Sequence, residues 1–425
     1  MQMVPLLMKE ENKESYEPKV VSFGPYHHED EKLKFVEDFK PTAVQMFIGD
    51  DRNEVECMAA ILGEIEYARS CYLEEFTCRY TDIQFAQIML RDACLILNYF
   101  GPTDIDNSIR RDMYLLENQI PFRILEILFG LKYITPRQSF IKEMELYSFR
   151  MFFNDDKIGT IDYDDEQGAN DDLGKKPLHL LEIFRRVIVT GRDHIDPSHD
   201  CCNINVNYML SCLKKNGHKF CCKDDENEYR HGLYVFRSVT DLKSKGIYSK
   251  ASEIKSLKGV RFNPTRFCRS AELKLPVLYV DMYTKVIFKN MIAYEFSPYA
   301  YIIHKSVTGY VSFMKLLVIT KEDVKEMREN KIIINSLGSD DDVVQVYKDL
   351  NTYDAEHISD FLTDKMNIEK HYHSKMMTWI AEFRTTYFNN PWSILALVAF
   401  LFILCLDIAQ TYYAANPPNN GGDAN

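Results

Sequence analysis

The chain has 425 residues, with 46% hydrophobic and 13% aromatic side chains, a composition that excludes a disordered chain. Its 51 Lys and Arg against 63 Asp and Glu leave a net charge of −12, which argues against nucleic acid as a partner, because phosphate binding wants a basic face. Eleven scattered cysteines, an odd number, read as thiols in a reducing compartment rather than a disulfide framework.

Residues 1–20 form an N-terminal tail. Its apolar stretch, Val4 to Met8, meets Lys9, Glu10 and Glu11 too soon for a secretory signal. Residues 1–30 read as extended, and Val20 to Tyr26 as a short β-type run stopped by the turn signal Gly24-Pro25. His27 and His28 follow; neighbours in an extended segment point apart, so a shared metal or base site is not expected of them. Helical spacing covers Phe35–Ile48, Val55–Phe76 and Asp82–Phe100, the third so apolar that it belongs at the centre.

Asp112 to Leu131 reads as a helix, a kink at Pro121 and a second helix stopped at Gly130. Glu117, Asn118 and Gln119 sit in this apolar setting and need partners if buried. Capping of the helix that starts at Pro121 accounts for Asn118. Residues 154–177 are an acidic loop (Asp155, Asp156, Asp162, Asp164, Asp165, Glu166, Asp171 and Asp172) without the spacing of a calcium-binding hand. Leu178–Val189 is a short helix.

Residues 191–230 are polar. Cys202, Cys212, His218 and Cys221 are the candidate metal ligands there, but the doublets Cys201-Cys202 and Cys221-Cys222 are not zinc spacing, and loop thiols are the plainer reading. Val260–Phe262 suggests a strand, and Pro276–Phe288 two β-rich runs forming a hairpin or strand pair. Helices resume at Tyr301–Ile319, Lys321–Asn330, from the N-cap Ser339 with Asp340, Asp341 and Asp342 to Leu350, and over His357–Tyr387. The fold class is thus mainly α with a small β element, as one large helical head over 21–388. No nucleophile elbow, Walker loop, dinucleotide fingerprint, zinc-protease helix or Cys-x-x-Cys is present, so neither a cofactor nor catalysis is expected.

From Trp392 to Leu406 the chain is uncharged and apolar. A bilayer core of ~30 Å takes about 20 helical residues, and Trp392 to Tyr413 supplies them, with Asp407 near one end and Trp392, Tyr412 and Tyr413 as interfacial aromatics. A single-pass helix over 389–413, in contact with lipid and followed by a disordered tail over 414–425, is the expectation; a buried core helix is its rival. Lys365, Lys370, Lys375 and Arg384 precede it and nothing basic follows, which places the head in the cytosol, with the plasma membrane a candidate membrane.

VSFGPYHH (Val21 to His28), LLENQIPFRILEILF (Leu115 to Phe129), KLPVLYVDMYTKVIFKNMIAYE (Lys274 to Glu295), INSLGSDDDVV (Ile334 to Val344), RSVTDLKSKGI (Arg237 to Ile247), Asp92, and YFNNPWS (Tyr387 to Ser393) leading into the apolar helix resemble the plant "domain of unknown function 247" family. The resemblance runs from about residue 20 to 413. It implies a plant membrane protein of unknown biochemistry. Among grasses, members like this one are taken as pollen determinants of gametophytic self-incompatibility, which would make the head a recognition module that meets a protein partner through its variable loops, 154–177 and 191–230. The motif residues Gly24, Pro25, Tyr26, Glu117, Asn118, Gln119, Pro121, Asn390, Pro391 and Trp392 would be scaffold. A membrane-associated enzyme using His27, Glu117 and Asn118 around one cavity is the competing reading.

Overall fold

The computed structural model describes residues 1–49, 54–100, 107–133, 137–153, 176–191, 237–264, 271–298, 304–353, 361–373 and 391–415. These are mainly helical with a few short strands. Residues 154–175 and 192–236, with Cys202, Cys212, His218 and Cys221, lie outside them, as do 374–390 with Asn390 and 416–425.

The chain opens with α1 (Leu6–Glu11), a helix of six residues after Pro5. A 3-10 turn, Lys13–Ser15, follows, so the extended reading of residues 1–30 is corrected: the chain coils where Val4 and Lys9 are drawn to buried Glu117, and residues 17–24 beyond the turn join no sheet. Then α2 (Lys34–Ile48) turns Lys40, Ala43, Val44 and Phe47 inward. The single helix expected over 55–76 is instead three: α3 (Glu54–Leu62), α4 (Ile65–Ser70) and α5 (Glu74–Thr77). Tertiary bonds override the periodicity here. Tyr72, between α4 and α5, turns inward to donate to Gln119 O, and Arg69 holds the carbonyls of Thr77 and Tyr80 at 2.6 and 2.7 Å.

The central helix α6 (Asp82–Tyr99) starts at a reciprocal Thr81–Gln84 cap and is buried almost throughout from Phe85 onward. The helix expected before Pro121 is absent: two short 3-10 turns, Asn107–Arg110 and Asp112–Tyr114, lead into irregular backbone. Pro121 immediately precedes α7 (Phe122–Tyr133). That helix runs past Gly130, where nothing stands within 4 Å of an added Cβ and no close approach forces a stop. Next come α8 (Arg137–Phe153) and α9 (Leu180–Thr190). Gly191 ends α9 at φ +66°, and a Cβ there would fall 2.7 Å from Ser256 Cβ, so only glycine fits.

After α10 (Val239–Ser244) the small β element appears: β1 (Ile247–Ala251), β2 (Arg261–Asn263) and β3 (Ala271–Leu275), in the order β1-β3-β2, parallel between β1 and β3 and antiparallel between β2 and β3. The strand pair expected over 276–288 is corrected to one strand and one helix. β4 (Leu278–Val280) pairs in parallel with the distant β5 (Ile333–Asn335), and the β-branched run after it is the first turn of α11 (Thr284–Glu295). Asp281 makes the change: its Oδ1 accepts the amides of Tyr283 and Thr284, both at 2.9 Å. Between α11 and the end lie α12 (Ser306–Leu317), α13 (Lys321–Glu329), α14 (Asp340–Lys348) and α15 (Leu362–Tyr372). Arg237, ion-paired to Glu369 at 3.1 Å and stacked 3.7 Å over Tyr372, fastens α15 beside α10.

One continuous apolar core runs through these elements, from Val4 to Ile368. The last helix, α16 (Pro391–Ala415), contributes nothing to it; its described apolar side chains are exposed. Among the described residues no helix is long and apolar enough to cross a membrane. In α16 the unbroken stretch with described side chains is 398–412.

Candidate functional site

A segment outside helix and sheet leaves its backbone N–H and C=O groups to find other partners. Residues 15–24 find buried side chains. Asp112 Oδ2 accepts the amides of Lys19, Val20 and Val21 at 2.9, 2.6 and 3.1 Å. Asn118 accepts Phe23 N–H at 2.7 Å and donates to Val21 O at 3.0 Å. Lys40 Nζ donates to Ser22 O and to Asp92 Oδ1, both at 2.6 Å, and Asp92 Oδ2 accepts Gly24 N–H at 2.7 Å. Asn290 donates to Ser15 O, and Arg111 to the carbonyls of Glu14 and Glu17. The receiving groups Lys40, Asp92, Asp112, Asn118 and Asn290 are all buried.

Gly24 sits at φ +74°, and a Cβ would come within 2.9 Å of Gln119 O and Tyr72 Oη. That is why glycine precedes Pro25. Tyr26 sets its ring edge-on to Tyr72 and Phe76 and donates its hydroxyl to Met1 O at 3.1 Å. The arm, residues 1–12, thus folds back over this turn. Val4 N–H donates to Glu117 Oε1 at 2.9 Å, Lys9 Nζ reaches Glu117 Oε2 at 2.5 Å, and Gln2 Oε1 meets His179 Nε2 at 2.9 Å. Gln119 faces the other way, donating to Met113 O and Leu115 O and accepting Leu181 N–H.

Asn118 therefore clasps the N-terminal segment instead of capping α7. Glu117, Asn118 and Gln119 share a short stretch of chain but address three different partners: the arm, the segment at 21–23, and α9. His27 and His28 likewise face different carboxylates, Glu117 at 3.9 Å and Glu37 at 3.4 Å. Pro121 precedes α7, and Pro391 and Trp392 open α16.

Burial dominates the electrostatics. It pushes the Asp92 carboxyl above its ordinary value, while Lys40 pulls the other way. Glu37, despite its burial, is held down at about 2 by His28, Lys40 and Ser22. Burial lowers His27, with Glu117 opposing. It lowers His179 to about 3, helped by the N-terminal amine and Arg186. His179 Nδ1 accepts Glu182 N–H at the start of α9, so its proton sits on Nε2 and points to Gln2.

Chemically this is a clasp: polar side chains receive a stretch of backbone. Among the described residues no group of three or more His, Cys, Asp or Glu could hold a metal ion. Sequence reasoning missed Lys40, Arg111, Asp112, His179 and Asn290 as parts of the site. The signal for Lys40 and Asn290 was a polar residue on an otherwise apolar helix face; for Asp112 and Arg111 there was none.

The DUF247 family profile, described as "Plant protein of unknown function", matches residues 1–406. A UPF0481 protein of Arabidopsis thaliana is 26% identical over 431 residues, covering 95% of this chain and 83% of that protein. A second UPF0481 protein of the same plant is 23% identical over 180 residues, 41% of this chain and 32% of its own length. No solved structure matches. With a profile match over nearly its whole length, the chain belongs to the DUF247 family of plant proteins of unknown function.

Proposed function

We propose that this protein is a single-pass, membrane-anchored interaction protein that works without catalysis. The observation that carries the reading is α16. Leu395, Val398, Phe400, Leu401, Phe402, Ile403, Leu404, Leu406 and Ile408 are each between 44% and 65% exposed, and they surround the helix instead of forming one stripe. A helix apolar on every side asks for an apolar solvent. Each such side chain left in water forgoes roughly 1.5–3 kcal/mol of burial. The helix has 25 residues, about 37 Å at 1.5 Å each, against a core of ~30 Å. Lys365, Lys370, Lys375 and Arg384 before it favour a cytosolic head.

The competing reading is an enzyme at a membrane, and His27 beside Glu117 is the observation in its favour. Against it, Glu117 is occupied by Val4 and Lys9, and Asn118 by Val21 and Phe23. In its narrower form, resting on the family resemblance, the proposal makes the protein a pollen self-incompatibility determinant of a grass, with residues 154–177 and 191–230 meeting a protein partner. Exchanging those loops between alleles should change partner choice; unchanged choice removes the narrower form.

The anchor is tested on the full chain in plant cells. It should stay with membranes through an alkaline carbonate wash and leave only with detergent. Leu401→Arg with Leu404→Arg, at roughly 2.5–3.5 kcal/mol each on insertion scales, should release it. Release of the unmodified chain by carbonate would overturn the anchor.

A further inference from the structure

Glu117 is approached by an ammonium and by an imidazole at the same oxygen. Lys9 Nζ holds Oε2 at 2.5 Å while Oε1 accepts Val4 N–H. His27 Nε2 stands 3.9 Å from the same Oε2, buried and with no hydrogen-bond partner. Glu117 itself is 1% exposed, so it needs a partner at all times. Lys9 and Val4 belong to the arm; His27 follows the clasped segment directly after the Gly24 turn and stays when the arm leaves.

We propose that Glu117 is an exchange point that couples proton uptake to release of the arm: with His27 neutral, Lys9 and Val4 hold the carboxylate and the arm is seated, and with His27 protonated its imidazolium takes Glu117 over and the arm detaches. The arm is built to let go as a unit. Its helix α1 has only six residues and is too short to persist by itself. Its other ties are Met1, Val4 and Met8 against the core, Gln2 on His179, Met1 O on Tyr26, and Glu11, which accepts from Asn351 at 3.3 Å and from Tyr353 Oη at 2.8 Å at the exposed rim.

The groups facing His27 set the direction. Glu117 from the 115–121 loop, Glu17 from the lead-in and Asp30 from its own segment favour the imidazolium; Lys9 from the arm and burial oppose it. Departure of the arm removes Lys9 and part of the burial together. His27 then binds its proton more tightly in the released state, so falling pH favours release. The opened groove presents Glu117, His179 and Tyr26.

Hydrogen exchange on the full-length protein tests this, read between pH 7.5 and 5.0 after correction for the intrinsic rate. The amides of Val4, Met8 and Lys9, which are hydrogen-bonded when the arm is seated, should lose protection as pH falls, approaching about tenfold per pH unit for one coupled proton. The amides of α6 should stay protected throughout. His27→Asn should keep the arm as protected at pH 5.0 as at 7.5, and Lys9→Met should expose it at both. Arm protection that ignores pH, a pH-dependent loss that survives in His27→Asn, or loss of arm and α6 together would each overturn the proposal.

Discussion

The two ends of the folded body solve the same problem by opposite means. Toward the C-terminus, backbone groups are satisfied locally or by ladders: β1 pairs with β3, β4 with β5, and Thr320–Asp323 and Ser339–Asp342 close reciprocal caps within three residues. At the N-terminus the backbone of residues 15–24, which leaves a 3-10 turn and joins no strand, has no ladder. Single side chains receive it, from Asp92, Asp112, Asn118 and Asn290, far along the chain. A ladder distributes the loss when one residue changes. A clasp concentrates it, because each of these side chains is buried and makes several hydrogen bonds. Substitutions at the two ends should therefore differ in cost by more than their burial suggests.

The largest effect is expected at Asp92. Asp92→Ala breaks the fully buried half of the Lys40 ion pairing, leaving the ammonium only Glu37, and leaves Gly24 N–H without an acceptor. The expected loss is about 3–5 kcal/mol, read as a shift in the denaturant midpoint at constant slope. The double variant Lys40→Met with Asp92→Leu should be less damaging than Asp92→Ala alone, since it removes both fully buried charges and leaves Glu37, which is partly exposed, with His28 and Ser22. If the double variant is the worse of the two, the pair does more than satisfy burial.

Acid should come next. His179 has a folded value of about 3 against an ordinary 6.5. A histidine held below its unfolded value takes up its proton more readily when unfolded. Its contribution is therefore fully present above about pH 6.5 and is lost as pH falls toward about 3, at roughly 1.4 kcal/mol per unit in between. Glu37, lowered to about 2 from 4.5, has the acid's sign and adds its own loss only below about pH 4.5. Between 6.5 and 4.5 the histidines lose stability as pH falls, His27 and His371 acting in the same direction as His179, while Asp92, Glu143 and Glu145, whose carboxyls burial raises, act the opposite way. His179→Asn keeps an oxygen for the Glu182 amide but cannot titrate, so its stability profile should be flatter across that window. An equally steep profile would assign the acid loss elsewhere.

The contrast also explains what could be read from the sequence. Ser339 followed by three aspartates announced α14 because cap and capped amides lie three residues apart. The apolar face of α6 announced a central helix for the same local reason. Asp112 announced nothing, because its three amides lie more than 90 positions upstream. The break of the expected helix over 55–76 was hidden too, since it depends on Tyr72 reaching Gln119. The β-branched start of α11 misled because Asp281, which turns the chain, looks like any hairpin aspartate. Glu117, Asn118 and Gln119 were visible as polar residues needing partners, but their three separate partners were not.

A finer test sets one clasp residue against one cap. Asn118→Ala removes an acceptor for Phe23 N–H and donors to Val21 O and Asp112 O, all buried, and should cost about 2–3 kcal/mol. Ser339→Ala removes an N-cap exposed to water, where solvent takes over part of its duty, and should cost about 1 kcal/mol. Both are side-chain to backbone bonds of ordinary length, so bond count does not separate them; the difference lies in whether water can replace the missing atom. Equal losses in chemical denaturation would mean that water enters the clasp when Asn118 is cut away, and that the N-terminal segment is held by its apolar contacts, Val21 and Phe23 foremost.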